Sequence, residues 1–438
     1  MNTLEQTTQL AIELIKQQKV SDFEISVGKS SGVSTTVRLS NVETLQYHLD
    51  TSFNVSVYIG KNKGQATSVD LSKASLKNAI ESACLIAKYT QEDPFNGLAP
   101  SERMAWDSPN LDLYYPWNLD AKQSIEIAKE CEQIALEQSE INNSDGAELS
   151  SFEGESVYAN SNGLIANLKS SRHSLYCSLI AKRGDEMQTA YEYSVAIDSN
   201  DLTAPSKIGL EAARLAQEKL GSRHLGPQKC PIIFTSRQSS GIFSQLLGAL
   251  SGSRQYKKTS FLLESLGSKV LPESISIYED PLKLKTLGSR AFDQDGVLKQ
   301  KQFFVEEGIV SSYLMGQYSA NQMGLESTAN AGGVSNCCVN SNFDGGITEL
   351  TKSMDRGLIV TDLMGHGVNA TTGDYSRGAS GFWVENGEIK YPVSGITIAG
   401  NLKDMLKNIV SIASDVDFRS NLKVGSTLIS EMTISGEG

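Results

Sequence analysis

The sequence predicts an α+β protein with two domains, residues 1–222 and 223–438. The N-terminal domain is predicted to be a duplicated unit of helix, antiparallel meander and helix, because this order of patterns occurs twice. A linker at about residues 91–119 separates the two copies and holds four of the ten prolines. The C-terminal domain is predicted to be mostly β, since glycine-rich, strand-like segments dominate it.

The first copy of the unit begins with a helix over residues 4–19, where apolar residues recur at helical spacing. Alternating apolar and polar residues then predict four strands, at 23–27, 33–39, 45–49 and 53–59. The "GKSSG" stretch around Ser30 matches a nucleophile motif that requires a strand-to-helix turn. It lies between two predicted strands, so a hairpin loop is the better interpretation. An amphipathic helix capped by Ser72 closes the copy.

The second copy repeats this order. Its predicted elements are a helix at 124–136, strands at 147–158, 164–168, 174–181 and 189–197, and a helix at 206–220. The "NSNG" stretch predicts a hairpin turn, because Asn and Gly adopt positive φ at low cost. Beyond the boundary segment "GSRHLGPQKC", only two helices are predicted, one beginning near Arg237 and one over residues 402–412.

The composition, with 39% apolar and 21% charged residues, is typical of a globular protein. A net charge of −12 argues against a nucleic-acid partner, because phosphate binding needs clustered Lys and Arg. The first residues lack the pattern of a signal peptide, and no stretch reaches the ~20 apolar residues of a membrane span. The six scattered cysteines are typical of reduced, structural thiols. We therefore predict a cytoplasmic protein with no nucleic-acid or membrane partner.

The segment "TDLMGHGVNATTGDYSRGASGFW" is the most site-like stretch, because glycines surround a single histidine and two threonines precede an aspartate. Its candidate peptide-cleft or framework residues are Gly365, His366, Thr372, Gly373 and Asp374. Gly373 is expected to need a positive φ, and Asp374 to cap a turn. For His366, contact with a bound peptide and a structural hydrogen bond are both open.

The other three histidines are predicted to lie outside any site. His48 is expected to face solvent, His173 to sit at the polar end of a buried strand face, and His224 to lie in the boundary segment. No two histidines have the spacing of a zinc site.

With these residues in view, the chain resembles the TldD/PmbA family, and in particular its PmbA (TldE) branch. The similarity covers nearly the whole chain. The family's signatures are matched by three segments in the right order, "SRAFDQDGVLKQKQFFVEEGIVSSYL", "QYSANQMGLESTANAGG" and "TTGDYSRGASGFWVENGEI".

The resemblance implies that this chain has no catalytic residues and no metal or cofactor of its own. The family's catalytic branch is a zinc peptidase, with an HExxxH helix and a cysteine ligand near the C-terminus. Here Gln245 and Leu250 stand at the histidine positions, Leu246 stands at the glutamate position, and no cysteine follows Asn401. Leucine can neither bind a metal nor transfer a proton. Zinc is therefore expected only in a TldD-type partner.

The function hypothesis is a non-catalytic subunit of a cytosolic zinc metallopeptidase that cleaves unfolded or extended peptides. By resemblance, its roles would be maturation of peptide-antibiotic (microcin) precursors and antitoxin proteolysis, and the isolated chain could form a homodimer. Two alternatives remain open. One is a stand-alone regulatory or binding protein, such as a gyrase modulator. The other is an independent metallopeptidase with unrecognised ligands.

Overall fold

A computed structural model describes residues 3–436 of the chain. The fold is mixed α+β, which confirms the predicted class. The first half forms one antiparallel sheet in the order β3-β2-β1-β4-β5-β6. Its strands are β1 (Asp22–Arg38), β2 (Asn41–Ile59), β3 (Asn62–Ser68), β4 (Ile141–Asn160), β5 (Ile165–Arg183) and β6 (Glu186–Ala196). The helices are α1 (Leu4–Lys16), α2 (Lys73–Tyr89), α3 (Ala121–Leu136) and α4 (Pro205–Glu218). The order helix, three strands, helix thus occurs twice.

The predicted hairpin loop at "GKSSG" is wrong, because Ser30 lies in the middle of the continuous strand β1. There it pairs with Asp50 of β2 on one side and Gly154 of β4 on the other. The glycines serve close packing instead of a turn. A Cβ on Gly32 would lie 2.4 Å from the ring of Phe152. The strands predicted separately in β2 and in β5 are likewise continuous.

Helix starts follow the capping residues. Ser72 caps α2 as predicted, and its hydroxyl accepts a hydrogen bond from the Ser75 N–H. The start of α3 lies one turn earlier than predicted, because Asp120 and Gln123 form a capping box there. The "NSNG" turn joins β4 to β5, with Gly163 at φ +99°.

The two faces of this sheet differ in chemistry. Odd-numbered residues of β1, such as Ile25, pack against α1 and α2. Helices α3 and α4 cover the same face of the sheet around Leu149. The even-numbered positions carry polar side chains, among them Glu24, Ser26 and Ser30. The helix-free face is therefore polar, and it faces the second half of the chain.

The second half contains two further sheets, in the orders β10-β9-β8-β11-β16 and β14-β13-β12-β7-β17-β15. An additional pairing between β14 and β17 closes five strands of the latter into a ring. The strands are β7 (Gln228–Phe234), β8 (Ile277–Glu279), β9 (Gln302–Glu306), β10 (Ile309–Val310), β11 (Cys337–Val339), β12 (Gly357–Met364), β13 (Asp374–Glu385), β14 (Glu388–Asn401), β15 (Ile409–Ile412), β16 (Leu422–Lys423) and β17 (Thr427–Gly436).

The prediction of two helices in this half is wrong, because the described residues contain five. They are α5 (Ser236–Ala249), α6 (Gly252–Tyr256), α7 (Gln317–Met323), α8 (Ile347–Met354) and α9 (Leu402–Lys407). Helix α9 also ends five residues before the predicted end, and the strand β15 follows it. The missed helices have only five to eight residues, which is too short for a clear helical period. No helix within residues 3–436 has the length and apolar character needed to cross a bilayer.

The proline-rich segment between α2 and α3 is packed between the two halves. Met104 and Leu111 are buried in a cluster that includes Tyr158 of the first sheet and Phe292 of the second half. The backbone of this segment is also hydrogen-bonded to the second half, since the Leu298 N–H donates a hydrogen bond to the Arg103 carbonyl at 3.0 Å. The domain boundaries themselves stay a prediction.

Candidate functional site

An open cleft of about 920 Å³ lies beside α5. The helix contributes one face to it, with Ser240, Ser244, Leu247 and Gly248 at successive turns. The opposite wall is the loop 330–334, whose first four residues belong to one of the three signature segments of the sequence.

The residues aligned with the HExxxH positions do not line this cleft. Leu246 and Leu250 are fully buried in the core, as their helical spacing predicts, and Gln245 is half-buried beside them. The residues aligned with the HExxxH positions therefore lie on a different face of α5 from the residues that line the cleft. That face carries only serine, leucine and glycine.

These side chains do not fit a zinc ion, because protein zinc sites use His, Cys and carboxylate ligands. No group of three or more such residues with the placement of a metal site occurs within residues 3–436. No cysteine follows Cys338 in the sequence that could act as a C-terminal ligand.

The wall opposite α5 is held in place by a buried carboxylate. Glu279 at the end of β8 is fully buried and accepts hydrogen bonds from the Asn330 amide at 3.0 Å and from the Ser335 N–H. Lys299, itself 1% exposed, forms an ion pair with Glu279 at 3.0 Å and donates to the Ala329 carbonyl. Three residues in or beside this wall, Ala329, Asn330 and Ser335, are thus held by one ion pair.

The cleft continues past the loop 330–334 into a groove along the polar face of the first sheet. Three cavities of about 530, 480 and 310 Å³ lie between this face and the segment 288–295. The side chain of Arg290 borders all three. The 310 Å³ cavity shares the loop 331–334 and Asn421 with the main cleft.

Three carboxylates meet where the cleft and the groove join, and each is harder to ionise than usual. Burial raises the pKa of Asp293 to about 7, and the neighbouring charge of Asp295 adds to that effect. Burial also raises the pKa of Asp295 and of Glu24. The carboxylate oxygens of Glu24 accept hydrogen bonds from the hydroxyls of Tyr58 and Tyr158 at 2.8 and 3.1 Å. All three are thus biased toward the neutral form.

This bias predicts that thermal stability falls as the pH rises toward 7. A carboxyl whose pKa is raised on folding contributes stability that is fully present below about pH 4 and lost as the pH passes about 7. Asp293→Asn is expected to flatten the dependence of Tm on pH between 5 and 8. The exposed Asp185→Asn is the control and should leave that dependence as in the parent protein. An unchanged slope in Asp293→Asn would contradict the assignment.

The glycine-rich stretch with His366 lies elsewhere. It is the exposed connection between β12 and β13, and residues 365–374 line neither the main cleft nor the three groove cavities. Its contacts are those of a framework. Gly373 has φ +86°, as predicted, and its carbonyl accepts from the Leu402 N–H at 2.7 Å. Asp374 accepts from Thr372 at 2.5 Å and from Asn401 at 3.2 Å, and the Thr372 hydroxyl bond lowers its pKa most.

Gly373→Val is expected to lower the free energy of unfolding by about 1–3 kcal/mol, because a β-branched residue is strained at positive φ. The added Cβ would also lie 3.0 Å from Asn401 Oδ1 and 3.3 Å from Phe261 Cβ. We therefore expect a lower Tm, measured by thermal unfolding. His366 is exposed, so His366→Ala should leave Tm unchanged and serves as the control. Equal Tm values for both variants would rule out the framework role.

None of the remaining histidines reaches the cleft. His48 is partly buried against Phe152 and lies 3.1 Å from Ser34 Oγ, so the prediction that it faces solvent is only partly right. His173 is fully buried, and its two ring nitrogens contact Ser151 Oγ and a backbone carbonyl, each at 2.9 Å. His224 is exposed.

Sequence reasoning did not name the residues that line the groove. Two of the three signature segments supply some of them, with the Asp293 and Asp295 pair in the first and residues 330–333 in the second. The available signal was the run of small and polar residues in "ANAGGVSN" together with the serines at even positions of β1.

Three family models match consecutive parts of this chain. The descriptions are PmbA/TldA metallopeptidase domain 1, matching residues 23–87, the central domain, matching 114–220, and the C-terminal domain, matching 227–436. Together they cover most of the sequence.

Individual relatives cover nearly the full length. The metalloprotease PmbA homolog of Haemophilus influenzae is 44% identical over 99% of this chain and 96% of its own. Metalloprotease PmbA of Escherichia coli O157:H7 is 41% identical over the same shares. A metalloprotease TldD homolog of Buchnera aphidicola is more distant, at 23% identity over 84% of this chain and 80% of its own.

Solved structures share the fold from end to end. A protein of Bacteroides thetaiotaomicron described as a candidate modulator of DNA gyrase has a TM-score of 0.93, 26% identity and 99% coverage of both chains. TldE from Thermococcus kodakarensis has a TM-score of 0.85 with 21% identity, over 98% of this chain and 100% of its own.

Proposed function

The chain belongs to the PmbA branch of the PmbA/TldD metallopeptidase family, and on that premise we propose that it is the subunit without a metal site in a TldD-type zinc peptidase. One observation carries this proposal. The face of α5 that lines the cleft presents Ser240, Ser244, Leu247 and Gly248, where a catalytic chain needs metal ligands and a general base. The TldD-type partner supplies both, and this chain contributes the peptide-binding walls.

The substrates we propose are unfolded or extended peptides, including peptide-antibiotic precursors and antitoxins. Gly332 and Gly333 are exposed in the cleft wall, so a substrate backbone can approach closely. Within residues 3–436, the N–H groups of Gly332 and Val334 donate no hydrogen bond. Free main-chain donors of this kind recognise an extended backbone independently of its side chains.

The partner surface we propose is the uncovered part of β2. Strand β3 pairs only with the end of β2 from Phe53 onward, which leaves the edge at residues 41–52 open. Three apolar side chains project from the same face of this open part, with Tyr47 and Leu49 about two-thirds exposed and Leu45 37% exposed. An open edge with an apolar face favours association, with a TldD-type chain or, in the isolated protein, with a second copy.

The deciding experiment is co-purification with a TldD-type chain. We expect a single larger species that contains zinc and cleaves unfolded peptides, whereas this chain alone has neither property. About one zinc per isolated chain, prepared without an affinity tag, together with peptide cleavage, would instead support an independent metallopeptidase.

Tyr47→Lys combined with Leu49→Lys is expected to weaken partner association by about tenfold or more, because buried aromatic and aliphatic anchors dominate interfaces. The measurement is the dissociation constant of the complex. Ile389→Lys is the control, since this residue of β14 is 54% exposed and distant in sequence. Equal weakening by the control would place the interface elsewhere.

A second candidate function is regulation of DNA gyrase, favoured by the description of the Bacteroides thetaiotaomicron structure. Because the net charge is −12, such regulation would act through contact with the gyrase protein and not through contact with DNA. The test is a mixture of this chain, purified gyrase and a TldD-type chain. If this chain binds gyrase and does not bind the TldD-type chain, gyrase regulation would be supported and the subunit role would not.

A further inference from the structure

The 310 Å³ cavity of the groove is lined by two arginines whose side chains have no partner among residues 3–436. Arg172 of β5 and Arg290 both line it. Neither side chain forms an ion pair or a hydrogen bond with any part of the chain that the structure describes. Six of the ten other arginines are ion-paired, namely Arg38, Arg103, Arg183, Arg214, Arg237 and Arg419.

A buried hydroxyl lies beside them. Ser289 is 8% exposed, and its Oγ has no hydrogen-bond partner among the described residues. It lines the same cavity and precedes Arg290 directly. Leaving a buried hydroxyl unpaired is unfavourable, so a ligand atom that accepts from Ser289 would remove a cost that the free protein carries.

The other charged groups of this cavity are already occupied. Lys299 is paired with Glu279 at 3.0 Å. Asp293 accepts hydrogen bonds from three backbone N–H groups, those of Asp295, Val297 and Ala331, each at 3.0 Å. Burial also raises the pKa of Asp293, which reduces its negative charge near neutral pH. The free charge in the cavity is therefore positive.

We propose that Arg172, Arg290 and Ser289 form a binding site for a carboxylate group of an extended peptide. Guanidinium groups match the planar geometry of a carboxylate, and a serine hydroxyl can donate a further hydrogen bond to it. The loop 331–334 is a wall of both this cavity and the main cleft, so a peptide that lies along the cleft reaches the arginines. The peptide nature of the ligand rests on the proposed function, and the carboxylate chemistry rests on these three side chains.

The test measures peptide binding to the purified full-length chain without any partner. The probe is a fluorescein-labelled decapeptide of alanine and serine, with either a free or an amidated C-terminus. A third peptide is amidated and carries one internal glutamate. We expect amidation to weaken binding by roughly tenfold or more, since a charge-assisted contact is lost. Recovery with the internal glutamate would assign the site to side-chain carboxylates as well.

Substitutions then connect this preference to the site. Arg172→Gln and Arg290→Gln should each abolish the preference for the free acid, whereas Arg214→Gln on α4 should keep it. Ser289→Ala should weaken binding of the free acid without lowering Tm, because the hydroxyl has no partner to lose in the free protein. A purely structural role of this serine would lower Tm instead.

Three results would overturn the proposal. They are equal affinity for the free and amidated peptides, an unchanged preference in Arg172→Gln and Arg290→Gln, and binding of inorganic phosphate without binding of the free-acid peptide. The proposed function is tested separately. A stable, active complex with a TldD-type chain, without a preference for a carboxylate, would contradict only the carboxylate site. A preference for a carboxylate without formation of any complex would contradict only the subunit role.

Discussion

Leu246→Glu is expected to lower the free energy of unfolding by at least about 3–5 kcal/mol, enough to leave much of the protein unfolded. Leu246 is fully buried in the core of the second half, where α5 packs against β7 residues such as Ile232 and Phe234. A glutamate there loses the apolar contacts of leucine and places a carboxyl among aliphatic and aromatic side chains. Urea unfolding followed by circular dichroism measures the change.

The control lies two residues earlier on the same helix. Ser244 is exposed and lines the main cleft, so Ser244→Glu should change the unfolding free energy by less than about 0.5 kcal/mol. Comparable destabilisation by both variants would show that the two faces of α5 have been assigned wrongly.

The same packing limits any attempt to restore zinc chemistry in the aligned register. Converting Gln245 to His, Leu246 to Glu and Leu250 to His places two of the three groups in the core. We expect this triple variant to unfold instead of gaining zinc-dependent cleavage.

Lys299→Met is expected to cost about 3–5 kcal/mol of unfolding free energy, because it leaves Glu279 as a buried charge without a counter-ion. Both side chains are at most 1% exposed, and methionine has nearly the same length as lysine. The loss should spread to the cleft wall, since Glu279 also anchors Asn330 and Ser335. Urea unfolding gives the magnitude, and faster amide exchange in residues 328–335 reports the loosened wall.

Two further variants separate charge from packing. Adding Glu279→Gln to Lys299→Met should recover part of the stability, because the buried anion is gone. Lys301→Met, at an exposed position two residues away, should change stability by less than about 0.5 kcal/mol. The ion pair would be unimportant if Lys299→Met behaved like Lys301→Met.

Local signals in the sequence were sufficient for the class of fold and for many element ends. Capping residues such as Ser72 act within three or four positions, and the alternation in β1 is visible in any short window. The same window cannot show whether an alternating pattern passes straight through "GKSSG" or turns there. The pairing of Ser30 with both Asp50 and Gly154 decided that, and these contacts span up to 124 residues.

The sequence by itself therefore determined the α+β class, the family, the positive φ of Gly373 and the lack of metal ligands in α5. Only the tertiary structure decided where the site lies. The cleft and its groove are assembled from residues as distant in sequence as Ser26, Arg172, Arg290 and Gly332, which no local period connects. Periodicity and capping report the conformation of a short segment, whereas a cavity depends on which segments pack against each other.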